Sequence, residues 1–387
     1  MPLPLYQGLH APTQPNHNTM HMGLWFERYF SGYTKDFSKV DNETDSVTRA
    51  SAKSLWLGQL KGSVGKREDL QAKAQKLHGL AAAQGGQVRV YRCAGSFVTG
   101  LGNAHPLENG FSWHPTLGTP YLSGSSVKGL VRALVETAYH GADRGELLTR
   151  WFGTEKKDDV AQSAGSFIFF DALPVEPCAL YPEIMTPHMG KWYEKGDKNP
   201  LANETQPGDW HSPVPVGYLT ARNIKLQFAI APRAGAIAPD QIAQELENLW
   251  TALHNALQWL GAGAKTAIGF GVFAEDFSDR QARQASEQQA AQIERTEHMT
   301  AAQKLIDAFV LELRTKHEEF PKFKEKSNGE FHKKANTLAK AAHEGSDWSA
   351  QDKSAAAAAI EEWLPKLVQI DIKDERRKLK LAALKGL

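Results

Sequence analysis

The sequence has few cysteines and no excess of charge of either sign. Its only two cysteines, Cys93 and Cys178, are too far apart for a CxxC zinc site and too few for a disulfide framework. This scarcity fits a protein of a reducing compartment. The net charge of +1 rules out little, because balanced totals can hide a basic groove. A nucleic-acid site must therefore rest on local clusters of Lys and Arg.

Long apolar runs and metal-binding spacings are missing as well. No stretch approaches the length of a membrane span, and residues 1–8 lack the charged and apolar regions of a signal peptide. We therefore expect a cytoplasmic protein that does not bind membranes. His17 and His21 lie four residues apart, but no HExxH or Cys/His metal spacing occurs, so we expect neither a metal nor a cofactor.

The composition predicts a folded protein of more than one part. Its 387 residues, 41% hydrophobic and 23% charged, exceed a usual single domain and allow a sizeable core. We expect an N-terminal extension packed on the core over residues 1–86 and a core domain over residues 87–278. A thumb-like insertion interrupts that core at about residues 175–217, and a helical C-terminal domain occupies residues 279–387.

The periodicity of apolar residues predicts an α+β fold. Strands are expected at residues 87–98, 165–172, 224–230 and 269–273, and helices at residues 67–83, 124–140 and 242–260. From residue 87 onward, this order matches a ferredoxin-like or RRM-like antiparallel sheet with two helices on one face. Beyond residue 279 we expect three to five helices, with breaks at Pro321, Asn328-Gly329, Gly345 and Pro365.

A capped helix with two cations on one face is predicted by the segment GSSVKGLVR, which begins at Gly124. Ser125 or Ser126 can cap this helix by accepting backbone N–H bonds, and Gly124 lets the chain turn sharply. Lys128 and Arg132 lie four residues apart, opposite an apolar stripe. With the helix N-terminus they favour binding of a phosphate backbone. The alternative is an ordinary surface helix with solvated cations.

A second glycine-rich segment, GAGAKTAIGFG, occupies residues 261–271. Its glycines permit close approach of the backbone to a ligand; the alternative is a helix C-cap followed by a strand that needs glycine for packing. The residues expected to contact a ligand are Gly261, Gly263, Lys265, Thr266, Gly269 and Gly271. Trp259 and Ala264 stand where a Walker A loop requires glycine, which disfavours a nucleotide hydrolase.

Two side chains of the core suit acid–base chemistry. His140, at the end of the first core helix, suits a general base acting on an RNA 2′-hydroxyl, or alternatively a group that stabilises the helix C-terminus. Asp171 follows the second strand and suits a residue that orients a nucleophile, although no partner has a recognisable spacing. Aromatic residues in long loops suit stacking on bases, although covering a core is their commoner use.

Several segments of the core carry a family resemblance. The run from Thr99 to Arg132 ends in a G-S-S-x-K-G-x-x-R element, and shorter matches are FFDA at 169–172 with Pro174, IMTPH at 184–188, DWHSPVP at 209–215 and the glycine-rich loop at 261–271. Together they resemble the RAMP superfamily of CRISPR-associated proteins, and most closely its sixth-subunit family in type III-B Cmr effector complexes. The resemblance is close over about residues 87–275, looser before them, and does not extend beyond about residue 280. Ser123 stands where such motifs often have proline.

This resemblance implies an RRM-like fold and a non-catalytic, RNA-binding structural subunit of a Cmr ribonucleoprotein in antiviral defence. Such a subunit lies near the crRNA 3′ end and contacts the guide and the paired target RNA beside other RAMP subunits. The residues expected to hold the RNA backbone are Gly124, Ser125, Ser126, Lys128, Arg132 and the loop residues named above. The thumb-like insertion is expected to contact target RNA through Met185, Thr186, His188, Trp192, Trp210 and His211. The alternative is a RAMP-type, metal-independent endoribonuclease that cuts target RNA or guide precursor with His140 or Asp171.

Overall fold

The computed structural model describes residues 14–17, 19–41, 51–154, 162–203, 205–208, 210–297 and 299–386. The segment examined for a signal peptide, residues 1–8, and Asp209 of the DWHSPVP match lie outside the described residues. The chain divides into two compact units, Met1–Gln281 and Ala282–Leu387. None of the described helices combines the length and the apolar character needed to cross a membrane.

The elements alternate between helix and strand in the first unit and are helical in the second. The helices are α1 (Met22–Arg28), α2 (Ala52–Gln59), α3 (Arg67–Ala83), α4 (Gly124–Ala138), α5 (Arg144–Phe152), α6 (Gly190–Lys195), α7 (Ile242–Trp259), α8 (Phe277–Glu297), α9 (Ala301–Glu319), α10 (Glu330–Glu344), α11 (Ala350–Leu367), α12 (Ile372–Lys378) and α13 (Leu381–Leu384). The strands are β1 (Gly62–Val64), β2 (Gln87–Cys93), β3 (Ser96–Phe97), β4 (Gly153–Thr154), β5 (Ser163–Ala164), β6 (Phe167–Phe169), β7 (Leu173–Pro174), β8 (Cys178–Met185), β9 (Val216–Arg222), β10 (Lys225–Pro232) and β11 (Phe273–Glu275).

The main sheet has the strand order β11-β2-β10-β6, and β7 also pairs with β10. All of these pairs are antiparallel, with Tyr91 opposite Leu226 in the central pair. The expected α+β class with antiparallel sheets and many helices is confirmed. Alternation along β2 sends Tyr91 and Cys93 into the main core of this unit, which α4 and α7 cover. Burying each large apolar side chain there contributes roughly 1.5–3 kcal/mol.

Helix α3 covers part of the opposite face of the main sheet. The Gln227 side-chain amide donates a hydrogen bond to the Ala74 carbonyl at 2.9 Å, and Leu77 packs with Leu173 and Ala229. Arg67–Ala83 coincides with the helix expected from the sequence. Consequently the sheet is covered by helices on both faces, rather than on one face as the sequence predicted.

A second antiparallel sheet has the order β1-β8-β9-β3. Strands β8 and β9 pair over their whole length, from Ala179 opposite Arg222 to Met185 opposite Val216. The segment expected as a thumb-like insertion, about residues 175–217, therefore begins in β8 and ends in β9, two strands that the sequence analysis did not predict. The segment is a β-hairpin, and only residues 186–215 form its loop.

Several predicted strand limits also differ from the structure. The expected strand at 87–98 is split into β2 and β3, which belong to different sheets. The split follows from the Ala94-Gly95 step, after which the Ser96 carbonyl accepts the Gly271 N–H at 2.8 Å instead of continuing the ladder of the main sheet. The expected strand at 165–172 shortens to Phe167–Phe169. The strand expected at 269–273 is found at Phe273–Glu275, because residues 269–271 form a turn.

The second unit is built from helices around its own core. Leu313, Ala335, Ile360 and Leu364 are among its buried residues, and alanine at several core positions lets the helices approach closely. The predicted breaks at Pro321, Asn328-Gly329 and Gly345 fall at helix ends. The predicted break at Pro365 is wrong, because α11 continues to Leu367. A proline in the last turn removes only one intrahelical hydrogen bond, which the helix end tolerates.

The start of α4 supplies a matched pair of glycine substitutions. An added Cβ at Gly124 would lie 2.2 Å from the Phe169 carbonyl oxygen, whereas an added Cβ at Gly129 would meet no atom within 4 Å. We expect Gly124→Ala to lower the free energy of unfolding by about 1–3 kcal/mol through overpacking. Gly129→Ala should raise it by about 0.5–1 kcal/mol, because alanine loses less backbone entropy in a helix. Urea unfolding of both variants measures the difference; equal effects would contradict the close approach.

Candidate nucleic-acid interface

The N-terminus of α4 is held by groups on both sides of it. Ser123, not Ser125 or Ser126, is the N-cap, and its Oγ accepts the Ser126 N–H at 3.3 Å. The Gly124 N–H donates to Asp171 Oδ1 at 2.7 Å. Gly124 lies within the helix, so it serves close packing against the Phe169 carbonyl rather than a sharp turn. The negative carboxylate of Asp171 also lies at the positive end of the helix dipole, and this electrostatic interaction stabilises the helix.

The two predicted cations of α4 differ in their surroundings. Lys128 is half-buried and forms no ion pair within the described part of the chain. Arg132 donates from Nε to Glu136 Oε1 at 2.7 Å, and both side chains are about half exposed. Such an exposed pair at i,i+4 contributes only about 0.3–0.5 kcal/mol, so an anion can compete for the guanidinium. Lys128 is therefore the cation near the helix start that is available without breaking a contact.

The glycine-rich loop uses its glycines in two ways. Gly261, Gly263, Gly269 and Gly271 all have positive φ, between 70° and 89°. An added Cβ at Gly263 would lie 2.1 Å from the Val98 carbonyl oxygen, and one at Gly271 would lie 1.9 Å from the Ala262 carbonyl oxygen. These two glycines permit close approach within the protein itself, which is the packing role that the sequence left open. At Gly269 an added Cβ would meet open space.

Backbone hydrogen bonds fix this loop beside β3. The Ala264 N–H donates to the Val98 carbonyl at 2.8 Å, and the Ala262 N–H donates to the Gly271 carbonyl at 2.8 Å. Between them the chain makes a short 3₁₀ turn, Thr266–Ile268, after Lys265 in the left-handed conformation. The loop is thus pre-organised rather than slack, which lowers the entropy cost of binding a ligand.

Three segments distant in sequence line one groove of about 430 Å³. Residues 99–102 form one wall, the first turns of α4 contribute Ser126 and Leu130, and residues 261–264 form the other wall, with Leu122 beside them. We call this the glycine groove. The predicted helix start and glycine loop therefore meet. Residues 99–102 were not among the predicted site residues, although their glycine content and place in the family-like run signalled them.

Lys265 extends from the loop toward the hairpin β8–β9. Its Nζ lies 3.4 Å from Met185 Sδ and 4.9 Å from the centroid of the Tyr218 ring. Burial, with the Glu183 carboxylate as a second cause, raises the pKa of Tyr218, so its hydroxyl stays protonated at neutral pH. A cation over an aromatic ring contributes about 0.5–1 kcal/mol at such a partly exposed site. The structure thus places the Lys265 side chain beside Met185, and Lys265 is not among the residues that line the glycine groove.

The remaining predicted thumb residues lie in the hairpin loop, apart from the glycine groove. Thr186 and His188 are exposed, and Trp192 is half-buried on α6. The Trp210 ring is 65% exposed while its Nε1 donates to the Asn203 carbonyl at 3.4 Å. His211 Nε2 lies 2.8 Å from the Gln206 carbonyl. Internal contacts therefore hold Trp210 and His211, and the Trp210 ring remains open to a partner.

The two candidate catalytic residues lie at opposite ends of α4. Asp171 binds its N-terminus, whereas His140 is exposed just beyond its C-terminal residue Ala138. A 15-residue helix is about 22 Å long, so the two side chains do not meet at one bond. Among the described residues, no group of three or more His, Cys, Asp or Glu side chains has metal-binding geometry.

Comparisons with known proteins agree with this core. Residues 91–274 match the RAMP superfamily. Cmr subunit Cmr6 of Pyrococcus furiosus is 27% identical over 244 residues, which cover 48% of this chain and 66% of that protein. Cmr6 of Saccharolobus solfataricus is 30% identical over 95 residues, which cover 24% of this chain and 30% of that protein. The alignments thus span less than two thirds of either relative.

Solved structures give similar matches. A chain of a type III-B Cmr-beta complex bound to cognate target RNA has a TM-score of 0.45 and 15% identity, covering 67% of this chain and 92% of that chain. The crystal structure of Cmr6 from Pyrococcus furiosus has a TM-score of 0.31 and 24% identity, covering 49% of this chain and 97% of that chain.

Substitutions at two glycines of the loop allow the effect of overpacking on stability to be separated from the effect of left-handed backbone strain. Gly263 and Gly269 have nearly equal φ, 89° and 88°, but only Gly263 is closely approached, by the Val98 carbonyl. We expect Gly269→Ala to lower the free energy of unfolding by about 1 kcal/mol, through left-handed strain alone. Gly263→Ala should cost about 1–3 kcal/mol more, because overpacking adds to the strain. Thermal and urea unfolding test this; equal losses would show that the loop does not need close contact with β3.

Proposed function

We propose, because residues 91–274 match the RAMP superfamily, that this chain is a non-catalytic, RNA-binding structural subunit of a type III-B CRISPR (Cmr) ribonucleoprotein in antiviral defence. Its partners are the crRNA, the complementary target RNA and other Cmr subunits. It holds the crRNA backbone near the 3′ end and contacts the paired target. The similarity to two Cmr6 proteins supports this role.

The glycine groove is the observation that carries the proposal. The N-terminus of α4 and a pre-organised glycine loop line one concave surface, and Lys128 lies on the same helix, two residues from both Ser126 and Leu130 of that lining. Helix N-termini bind phosphate groups through their N–H groups and dipole, and lysine adds a charge. Phosphate contacts carry little sequence information, so binding here tolerates any guide sequence. Base pairing between guide and target then supplies the specificity.

The arrangement of the main sheet supports an RRM-like fold but a different RNA-binding surface. When β2, β6, β10 and β11 are numbered 1 to 4 in chain order, the strand order across the sheet is 4-1-3-2, with α4 and α7 as crossovers. This is a ferredoxin-like arrangement. RRM domains stack bases on the open face of such a sheet. Here α3 packs on that face and contacts Gln227, so we infer that RNA is held in the glycine groove instead.

The hairpin loop 186–215 suits the thumb that we propose. It projects from the paired ends Met185 and Val216, and it carries the exposed rings of Tyr193 (81% exposed) and Trp210. Aromatic side chains of this kind stack on bases or separate base steps. Lys265 contacts Met185 at the base of the hairpin, which links the thumb to the backbone-binding loop.

The positions of His140 and Asp171 support a non-catalytic role. Metal-independent RNA cleavage needs acid and base groups within hydrogen-bond reach of one phosphodiester. Asp171 accepts a hydrogen bond from the start of α4, and His140 lies past the other end of this helix.

Both cysteines are buried free thiols, which supports a reducing cytoplasmic location.

Reversing the charge of Lys128 tests the backbone grip. We expect Lys128→Glu to weaken binding to unrelated guide RNAs about equally and to reduce the salt dependence of affinity, by about 0.7 in the log–log slope for each lost phosphate contact. Lys76→Glu on the exposed side of α3 is the matched control. Fluorescence anisotropy over a salt series measures both. A loss confined to one guide sequence, or equal losses in the control, would contradict the proposed grip.

Co-purification tests the role as a whole. Expressed with its genomic neighbours and purified by a tag on this chain, the protein should carry short RNA in a multi-subunit particle, and the isolated chain should not cut RNA. Cleavage by the isolated chain that His140→Ala or Asp171→Asn abolishes would favour the endoribonuclease instead.

Shortening the hairpin tests the thumb. Because Met185 and Val216 are paired, residues 187–214 can be replaced by a tight Asn-Gly connection without opening the sheet. We expect guide binding to persist and target binding to weaken, because the rings that engage the target duplex are gone. The double variant Tyr193→Ala/Trp210→Ala, which keeps the loop, should show part of the same loss. Unchanged target affinity in the shortened protein would refute the thumb.

A further inference from the structure

The connection between α9 and α10 in the second unit alternates aromatic rings and cations. Residues 320–326 have the sequence FPKFKEK. We call this segment the basic-aromatic turn. It lies outside residues 91–274, the part of the chain that matches the RAMP superfamily.

The rings and cations of this turn are open to solvent. Phe320 is 52% exposed and Phe323 is 39% exposed, which is unusual for phenylalanine. Lys316, at the end of α9, places its Nζ 4.4 Å from the Phe320 ring centroid and 5.6 Å from that of Phe323. The surface is thus a pair of rings with a cation over them.

The lysines of the turn are also unpaired. Lys322, Lys324 and Lys326 are exposed, and in the described part of the chain none of them forms an ion pair. The carboxylates that precede the turn in sequence belong to Glu318, which pairs with Arg314 at 2.8 Å, and to the exposed Glu319. Glu330, which follows the turn, pairs with Lys334 at 2.8 Å. The cations therefore exceed the free carboxylates on this surface.

The one acidic residue of the turn faces inward. Glu325 Oε1 accepts the His332 N–H at 2.9 Å, and the backbone of Glu325 bridges Val368. The chain is extended at this bridge, and side chains of an extended chain alternate between two sides. Lys324 and Lys326 therefore project together, away from Glu325. Hydrogen bonds to the Leu367 carbonyl and from the Gln369 N–H fix this backbone.

A second cationic run in the same unit has a different character. In α12, Arg376 binds Glu361 at 2.9 Å, and its neighbour Arg377 binds Asp374 at 3.1 Å. Lys378 binds the buried Glu375 at 2.8 Å. These cations are satisfied by carboxylates of the unit and have no aromatic partner. The run therefore supplies a control for charge alone.

We propose that the basic-aromatic turn binds single-stranded RNA, independently of the glycine groove. The lysines contact successive phosphates, and the rings of Phe320 and Phe323 stack on bases. Single-stranded nucleic acids are bound by this combination of cations and aromatic platforms, and the stacking tolerates any base. Paired bases are stacked on each other and present no free face to a ring, so a single strand is favoured over a duplex.

The test measures binding of a fluorescein-labelled oligouridylate to the full chain over a salt series. The triple variant Lys322→Gln/Lys324→Gln/Lys326→Gln should bind about tenfold more weakly and lower the salt slope by about 2, as expected for the loss of three phosphate contacts. Phe320→Ala should weaken binding about fivefold or more, whereas Phe320→Tyr, which keeps the ring, should retain affinity. The control Lys373→Gln/Arg377→Gln/Lys380→Gln removes equal charge from the other run and should have little effect. Circular dichroism melts verify folding of each variant.

Several outcomes of these measurements would overturn the proposal. They are unchanged binding by the lysine or Phe320→Ala variant, equal weakening in the control triple, duplex RNA binding as tightly as single-stranded RNA, and polyglutamate competing as well as unlabelled RNA. The last result would assign the turn to an acidic protein partner. Repeating the series in a Lys128→Glu background separates the two surfaces. Equal fold-changes support independent sites, whereas complete loss in Lys128→Glu alone would overturn the second one. Failure to assemble with Cmr subunits would count against the proposed function only.

Discussion

Close approach of one backbone segment to another governs the candidate site. Gly124 brings α4 against the Phe169 carbonyl, and Asp171 ties the first N–H of this helix to the end of the same strand region. Gly263 and Gly271 do the same for the loop, one against Val98 and the other against Ala262. None of these contacts leaves room for a Cβ. The position of α4 and the walls of the groove both follow from this packing, so the same glycines determine the stability of the fold and the shape of the candidate site.

Coverage of the main sheet on both faces has a functional consequence. A sheet with one open face can offer side chains to a ligand, but α3 occupies that position through Ala74 and Leu77. The proposed RNA site therefore lies at loops and at a helix start instead of on the sheet. Backbone groups there do not distinguish bases, so the proposed site tolerates any guide sequence.

Local patterns in the sequence were enough to predict the elements with strong periodicity. The helix over 242–259 follows from apolar spacing, and the end of α3 follows from the glycines at 85 and 86. The meeting of the two glycine segments follows from the order of strands and helices. The hairpin β8–β9 was missed because Pro182 and nearby turn residues mask its alternation, and its partner strand lies about 35 residues away. The N-cap was misplaced among the three serines at positions 123, 125 and 126, since only the geometry at Ser123 distinguishes them. Tertiary contacts decide which glycines of the loop pack against protein backbone and which remain open. Local sequence patterns do not reveal those contacts.

Met185 and Val216 are paired in the sheet, so strand pairing holds the two ends of the hairpin loop together. The length of the loop between them is therefore not fixed by the fold. The entropy cost of closing a loop grows only with the logarithm of its length, by about 0.6 kcal/mol for each doubling. Natural variation can therefore lengthen, shorten or replace residues 186–215 at little thermodynamic cost. This hairpin is a place where the chain can change in length while it keeps the same core, and where a reporter domain can be inserted.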